Sequence, residues 1–331
     1  MSLIVTLIVS VILILFSSYL FYNALENLRV KINVKEVYIS SIVAAIGGVI
    51  PEIIIPIIAI LTGTYGNGNL EIGIGAILGA PLIISTLIFF IVGIYVMTNR
   101  GLCSQIKLQQ VNIRKDLHYF FVAYFFLLVS ACIKIHNLFL NLIISGILIL
   151  IYARYLTYKL KQKNFYIDKN RCNKLIISNL GFIPNKFFIM LQLLLSLLMM
   201  TYFSSTLVDV MSSVVVKYNI SVFSVSVVLI PIITEMQEQL ISLIWFKTHK
   251  DIMAINILLG SLMFQVTLLP ILGILFTSWN SINISHLIVF GITSLAMLNI
   301  YVHSNNLKGY HLLVNGFLYL LYLTISVYIF L

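Results

Sequence analysis

Ala45-Ile46-Gly47-Gly48-Val49-Ile50-Pro51-Glu52 and Pro231-Ile232-Ile233-Thr234-Glu235-Met236-Gln237-Glu238 lie in opposite halves of this 331-residue chain, and their reading decides the fold. Each sets glutamate near a helix-breaking proline inside an apolar run. Each is followed by a second apolar, glycine-bearing run. The first is Gly73-Ile74-Gly75-Ala76-Ile77-Leu78-Gly79-Ala80-Pro81, and the second is Leu258-Leu259-Gly260-Ser261-Leu262-Met263-Phe264-Gln265. A carboxylate held in hydrocarbon costs about 2.5–3.5 kcal/mol on insertion scales, so an ionisable residue there marks a functional site. Its recurrence at corresponding places in two halves implies transport through an ion site at the midplane.

The bulk composition sets the solvent. The chain is 61% hydrophobic and 9% charged, with a mean hydropathy of +1.08, where a soluble domain carries about 25% charged residues. Apolar stretches long enough to cross ~30 Å of hydrocarbon run at about 3–22, 38–60, 71–97, 118–135, 137–154, 186–208, 220–246, 252–277, 284–302 and 311–330. The boundary between the fourth and fifth rests on Lys134 and His136. With ten spans, 18 of the 20 lysines and arginines fall on one side, leaving Lys134 and Lys217 on the other. The positive-inside rule makes the basic side cytoplasmic and puts both termini outside a cell membrane. The net charge of +10 is thus an orientation signal and a lipid-headgroup contact. Membrane lipid and inorganic cations are the expected partners, with no nucleic acid and no obligate protein partner. Cys103, Cys132 and Cys172 show no paired spacing and are expected to be free thiols. The first apolar stretch lacks a basic leader and a small-residue cleavage site, so it reads as the first span.

Only 155–185 is a long hydrophilic stretch. It divides the chain into 1–154 and 186–331, five spans each, with the glutamate regions at about 38–97 and 220–280. Because five is odd, equivalent spans enter the membrane from opposite sides. The expected fold is all-α, ten transmembrane helices as two inverted five-helix repeats. Gly79 follows Glu52 by 27 residues and Gly260 follows Glu238 by 22. On that pairing the first half carries five extra residues, assigned to the turn Thr62–Asn69.

Pro51 and Pro231 are expected to break or kink their helices and release backbone carbonyls, which a bilayer tolerates only beside protein or a water-filled cavity. Carboxylates with freed carbonyls form a hard, oxygen-rich setting suited to Ca²⁺, with six to eight oxygens at ~2.3–2.6 Å, or to Na⁺. Gly47 and Gly48, like Gly75 and Gly79, allow close helix approach. Glu235 and Glu238 share a helical face, and two carboxylates so placed do not both ionise unless a cation lies between them. Glu235 has a second reading, as a residue near the headgroups. Ser261 and Gln265, one turn apart, offer two more oxygens or an interhelical hydrogen bond. Glu71, Asp209 and Asp251 are expected at span ends, as are His118, His136, His249, His303 and His311.

At these residues the chain resembles the Ca²⁺/cation antiporter superfamily, the sodium/calcium exchanger-like proteins of prokaryotes and archaea. Gly47-Gly48-Val49-Ile50-Pro51-Glu52 stands for that family's first G-T-S-x-P-E motif, with Gly79-Ala80-Pro81 following. Thr234–Glu238 and Gly260-Ser261 stand for the second. The resemblance implies a central site in which Glu52 and Glu238 bind the metal cargo. Glu235, Thr234, Ser261, Gln265 and backbone near Gly47 and Gly48 would complete the cation site. The implied function is secondary antiport of Ca²⁺ against Na⁺ or H⁺ by alternating access. The alternative on the same fold is exchange of Na⁺ or K⁺ for protons. No cofactor is expected beyond the transported ions. Gly48 and Val49 stand where the family has hydroxyls, and Ala80-Pro81 where it has Ser-Asn, so the first half offers fewer oxygens.

An integral-membrane enzyme would need HExxH, paired Asp-rich motifs or a phosphate-binding Gly/Lys loop. None occurs, so an enzyme is not expected. A channel could use acidic rings, but two inverted halves argue for alternating access.

Overall fold

The structure is a computed structural model describing residues 3–31, 52–63, 69–106, 113–133, 137–161, 175–176, 185–218, 220–247, 249, 251–277, 279 and 283–330. Within these residues the chain forms α1 (Leu3–Lys31), α2 (Glu52–Thr62), α3 (Asn69–Arg100), α4 (Ile113–Cys132) and α5 (Leu138–Lys161). The second half forms α6 (Lys186–Tyr218), α7 (Val222–Lys247), α8 (Asp251–Phe276), α9 (Ile284–His303) and α10 (Leu313–Phe330). Among the described residues, eight spans are long and apolar enough to cross a membrane, and Glu52–Thr62 and Val222–Glu235 are shorter apolar stretches. No strand is formed among the described residues, where β pairing is limited to a bridge between Gln105 and Lys308. The result is a multi-pass, all-helical membrane fold of two inverted five-helix repeats. The expected start of the second span, 38–51, lies outside the described residues. The split at Lys134 and His136 falls between α4 and α5.

Contacts reveal the inversion. Ile14 of α1 packs with Leu207 and Met211 near the end of α6, while Phe21 and Ala24 pack with Ile189 and Leu193 near its start. The opening helices of the two halves are therefore antiparallel neighbours. Polar groups on these helices bond within the pair. Ser17 donates to the carbonyls of Leu13 and Ile14, Ser196 to that of Leu193, and Gln192 reaches Leu20 O and Asn23 Oδ1 at 2.8 and 3.1 Å.

α3 and α8 are the central helices. In each, 72% of the apolar window is buried, against 22% for α1 and α5. Burial explains why α3 can carry Gly73, Gly75 and Gly79, which would weaken an isolated helix. A Cβ on Gly75 would meet Ser226 Oγ at 2.1 Å, and one on Gly79 would meet Val227 O at 2.2 Å. Glycine lets α3 lie against the backbone of α7, the close approach expected of small residues between membrane helices.

Proline acts less disruptively than its reputation. α7 is helical without interruption through Pro231, while Pro51 lies outside the described residues. Pro231 has no N–H for the carbonyl of Val227, and that oxygen is the one against Gly79. The breaks come elsewhere. A π-helical segment at Ile84–Ile88 follows Pro81 in α3, and α8 is interrupted at Leu268 beside Pro270. Within the π segment the carbonyl of Ser85 accepts from Asn315 Nδ2 of α10 at 2.6 Å. That bond supplies the partner a buried carbonyl requires in lipid.

Candidate functional site

Glu52 opens the described part of α2 and is 3% exposed. Two groups on α8 reach it: Ser261 Oγ lies 3.4 Å from Oε1, and Gln265 Nε2 lies 3.3 Å from Oε2. Ser261 and Gln265 are one helical turn apart and 3.2 Å from one another. Helical spacing puts both on the face of α8 turned to α2. The same Gln265 amide nitrogen donates to Glu235 Oε1 on α7, where Glu235 is fully buried. One carboxylate from each half thus converges on a single amide, with a hydroxyl beside it.

Four of the residues named from sequence are therefore together: Glu52, Glu235, Ser261 and Gln265. Thr234 is buried, but its hydroxyl is turned to its own helix, 3.3 Å from Ile230 O. Glu238 is on α7 three residues beyond Glu235, with its side chain outside the described set. Gly47 and Gly48 also lie outside it. Pro56 was not part of the sequence reading, yet it stands four residues after Glu52. It denies the Glu52 carbonyl its usual helical donor, a signal legible from spacing alone.

The donor set is hard and oxygen-based. It has two carboxylates, one hydroxyl and one carboxamide, the chemistry that suits Ca²⁺ or a monovalent alkali ion rather than a thiol- or imidazole-seeking metal. Among the described residues, no group of three His, Cys, Asp or Glu could hold a metal ion. The buried Gln265 Oε1 meets no hydrogen-bond partner among the described residues.

Two ion pairs fasten α8 on its other sides, and the sequence reading missed both. Lys159 Nζ at the end of α5 sits 2.6 Å from Asp116 Oδ2 of α4 and 2.9 Å from Asn256 Oδ1 of α8. Arg100, ending α3, grips Asp251 at the start of α8 with two 2.8 Å bonds and also donates to Phe246 O of α7. Asp251 was expected at a span end facing the interface; it is at the span end but only 2% exposed. These charges read as ordinary loop charges because their partners lie in distant parts of the chain.

The sequence matches a family model described as sodium/calcium exchanger protein over residues 2–161 and 188–330. No curated protein gives a match. Among solved structures, the H⁺/Ca²⁺ exchanger CAX superposes with a TM-score of 0.76 at 13% identity, covering 98% of this chain and 82% of that one. Native YfkE gives 0.69 at 19% identity, over 97% and 91% of the two chains. The sodium-calcium exchanger NCX_Mj gives 0.55 at 18%, over 97% and 98%. At these identities the superpositions speak for the fold.

Proposed function

The chain belongs to the sodium/calcium exchanger protein family, and we propose that it is a secondary active antiporter that moves Ca²⁺ against Na⁺ or H⁺. The observation that carries this reading is the meeting of Glu52 and Glu235, one buried acid from each half, through Gln265. Two carboxylates balance a divalent ion. The oxygens that would hold the ion are the same ones that would hold protons. Cation and protons therefore compete for the same oxygens, which is the linkage an exchanger needs. Glu238 adds a further acid from α7, and Ser261 with backbone near Gly47 and Gly48 completes the proposed ligand set around Glu52 and Glu235. The inverted halves supply alternating access, with the basic loops in the cytoplasm and both termini outside the cell membrane.

A second reading, exchange of Na⁺ or K⁺ for protons, draws on one observation. The face of α3 that meets α7 carries Gly75 and Gly79, so that helix adds no side-chain oxygen there. Fewer hard ligands suit a monovalent ion.

The test is ⁴⁵Ca²⁺ uptake into proteoliposomes under imposed Na⁺ and pH gradients, with Glu52→Gln, Glu235→Gln and Glu238→Gln beside the wild type. Gradient-driven uptake that the glutamate variants lose supports Ca²⁺ antiport and names the counter-ion. Wild-type protein that moves no Ca²⁺ but dissipates a pH gradient on addition of Na⁺ or K⁺ selects the second reading. Glutamate-independent flux of every ion would sink both.

A further inference from the structure

We infer that Gln265 is a two-position ligand: its amide NH₂ stands in for the cation in the empty site, and its carbonyl oxygen turns inward when the cation enters. The inference rests on the antiporter reading above and assigns this residue a role within that site.

The geometry around the amide is lopsided. Nε2 has three oxygens within reach: Glu52 Oε2 at 3.3 Å, Ser261 Oγ at 3.2 Å and Glu235 Oε1. Oε1 has no hydrogen-bond partner among the described residues, although Gln265 is fully buried. A carboxylate only accepts hydrogen bonds, and an amide nitrogen only donates them. With the site free of both cation and protons, the two carboxylates face the NH₂ end of Gln265. It brings partial positive charge to the place where two negative groups converge, and it leaves its own acceptor unmet. A buried, unmet acceptor is unfavourable, so this orientation persists only while the carboxylates need a donor.

A bound cation reverses the preference. Once the carboxylates face positive charge, an N–H aimed at the same point is repelled and an amide oxygen is attracted. Rotation about the terminal side-chain torsion exchanges the two ends without moving α8, because that torsion is broad and roughly two-fold. The swap removes a donor competing for the carboxylates and adds a hard oxygen to the shell. Gln265 thus ties release of the carboxylates to capture of the ion. Glutamate at this place would supply oxygen but no donor, and methionine would supply neither.

Cation-induced difference infrared spectroscopy on the full-length protein in lipid vesicles tests this, with Ca²⁺ and then Na⁺ as the added ion. The wild type is expected to show carboxylate bands together with an amide carbonyl band that shifts to lower frequency as Oε1 passes from unpartnered to cation-bound. Gln265→Met should lose that amide pair and need a higher ion concentration to give the carboxylate bands. Gln265→Glu, which also removes the amide, serves if the methionine variant does not fold. Carboxylate bands in the wild type without an amide pair that these variants remove would overturn the two-position role and leave the ion site standing. No carboxylate response to either ion would overturn the antiporter reading and this inference with it.

Discussion

Each half places two residues at the same distances after its own glutamate. Gly75 and Gly79 follow Glu52 by 23 and 27 residues, and Ser261 and Gln265 follow Glu238 by 23 and 27. Counted instead from Glu235, the acid that shares Gln265 with Glu52, Ser261 and Gln265 fall at 26 and 30. The scaffold repeats, but the chemistry does not. In the second half the two positions carry a hydroxyl and an amide that reach Glu52 across the helix pair. In the first half they carry hydrogen atoms, and the backbone of α7 fills the space, with Val227 O where a Gly79 Cβ would be. An inverted repeat preserves where helices cross. Whether a crossing becomes a ligand or a close packing contact depends on one or two side chains.

The sharpest way to break this comparison is to remove the carboxylates that the second half's polar pair serves. Glu52→Gln and Glu235→Gln should each reduce cation exchange to the flux of protein-free liposomes. An active Glu235→Gln protein would mean that Glu238 alone represents the second half in the site. Next in size is the anchor on the far side of α8. Lys159→Met leaves Asp116 buried without its cation, which costs about 3–5 kcal/mol, read as a lower thermal midpoint in detergent. The double change Lys159→Met with Asp116→Leu should recover much of that loss. Failure to recover would show that Lys159 holds α8 chiefly through Asn256.

The glycine pair gives a finer test. Gly79→Ala drives a methyl into a backbone carbonyl and should destabilise by about 1–3 kcal/mol. Trimming a neighbouring side chain should not relieve it. Gly75→Ala meets the end of a side chain first, so Ser226→Gly should restore part of its stability, leaving the residual contact with Phe223 O at 3.1 Å. Equal rescue of both would contradict the backbone packing described here. Gly260→Ala should be close to neutral, since no described atom lies within 4 Å of its Cβ position. The smallest effect belongs to Ser261→Ala. Its 3.4 Å bond to Glu52 sets the expected loss at about 0.5–1.5 kcal/mol, measured as a roughly two- to twelvefold weaker cation affinity.

Much of the fold was legible in one dimension because lipid imposes simple rules. A span must be long and apolar, and basic residues sort by side. Those rules located ten helices, with the fourth and fifth divided at Lys134 and His136. Glu52, Ser261 and Gln265 were legible as polar exceptions inside apolar runs. Glu235 was harder, because either of two acids on one helical face could turn inward, and spacing favoured Glu238. Arg100, Asp116, Lys159 and Asn256 were not legible at all. Their pairs join positions about 40 to 150 residues apart, and charge near a span end has many ordinary explanations.

By itself the sequence determined the solvent, the number and inversion of the helices, and the presence of acids where water is scarce. Those properties follow from transfer free energies, which depend on residue type and local run length. Only the tertiary structure decided that one amide stands between carboxylates of opposite halves, and that Pro231 sits within a continuous helix while the Val227 carbonyl, which Pro231 cannot serve, meets Gly79. It also decided that α8 is held by Arg100 of α3 and by Lys159 of α5, whose charge Asp116 of α4 balances. These depend on which helix faces cross and at what depth, and packing settles that only when all the helices are in place.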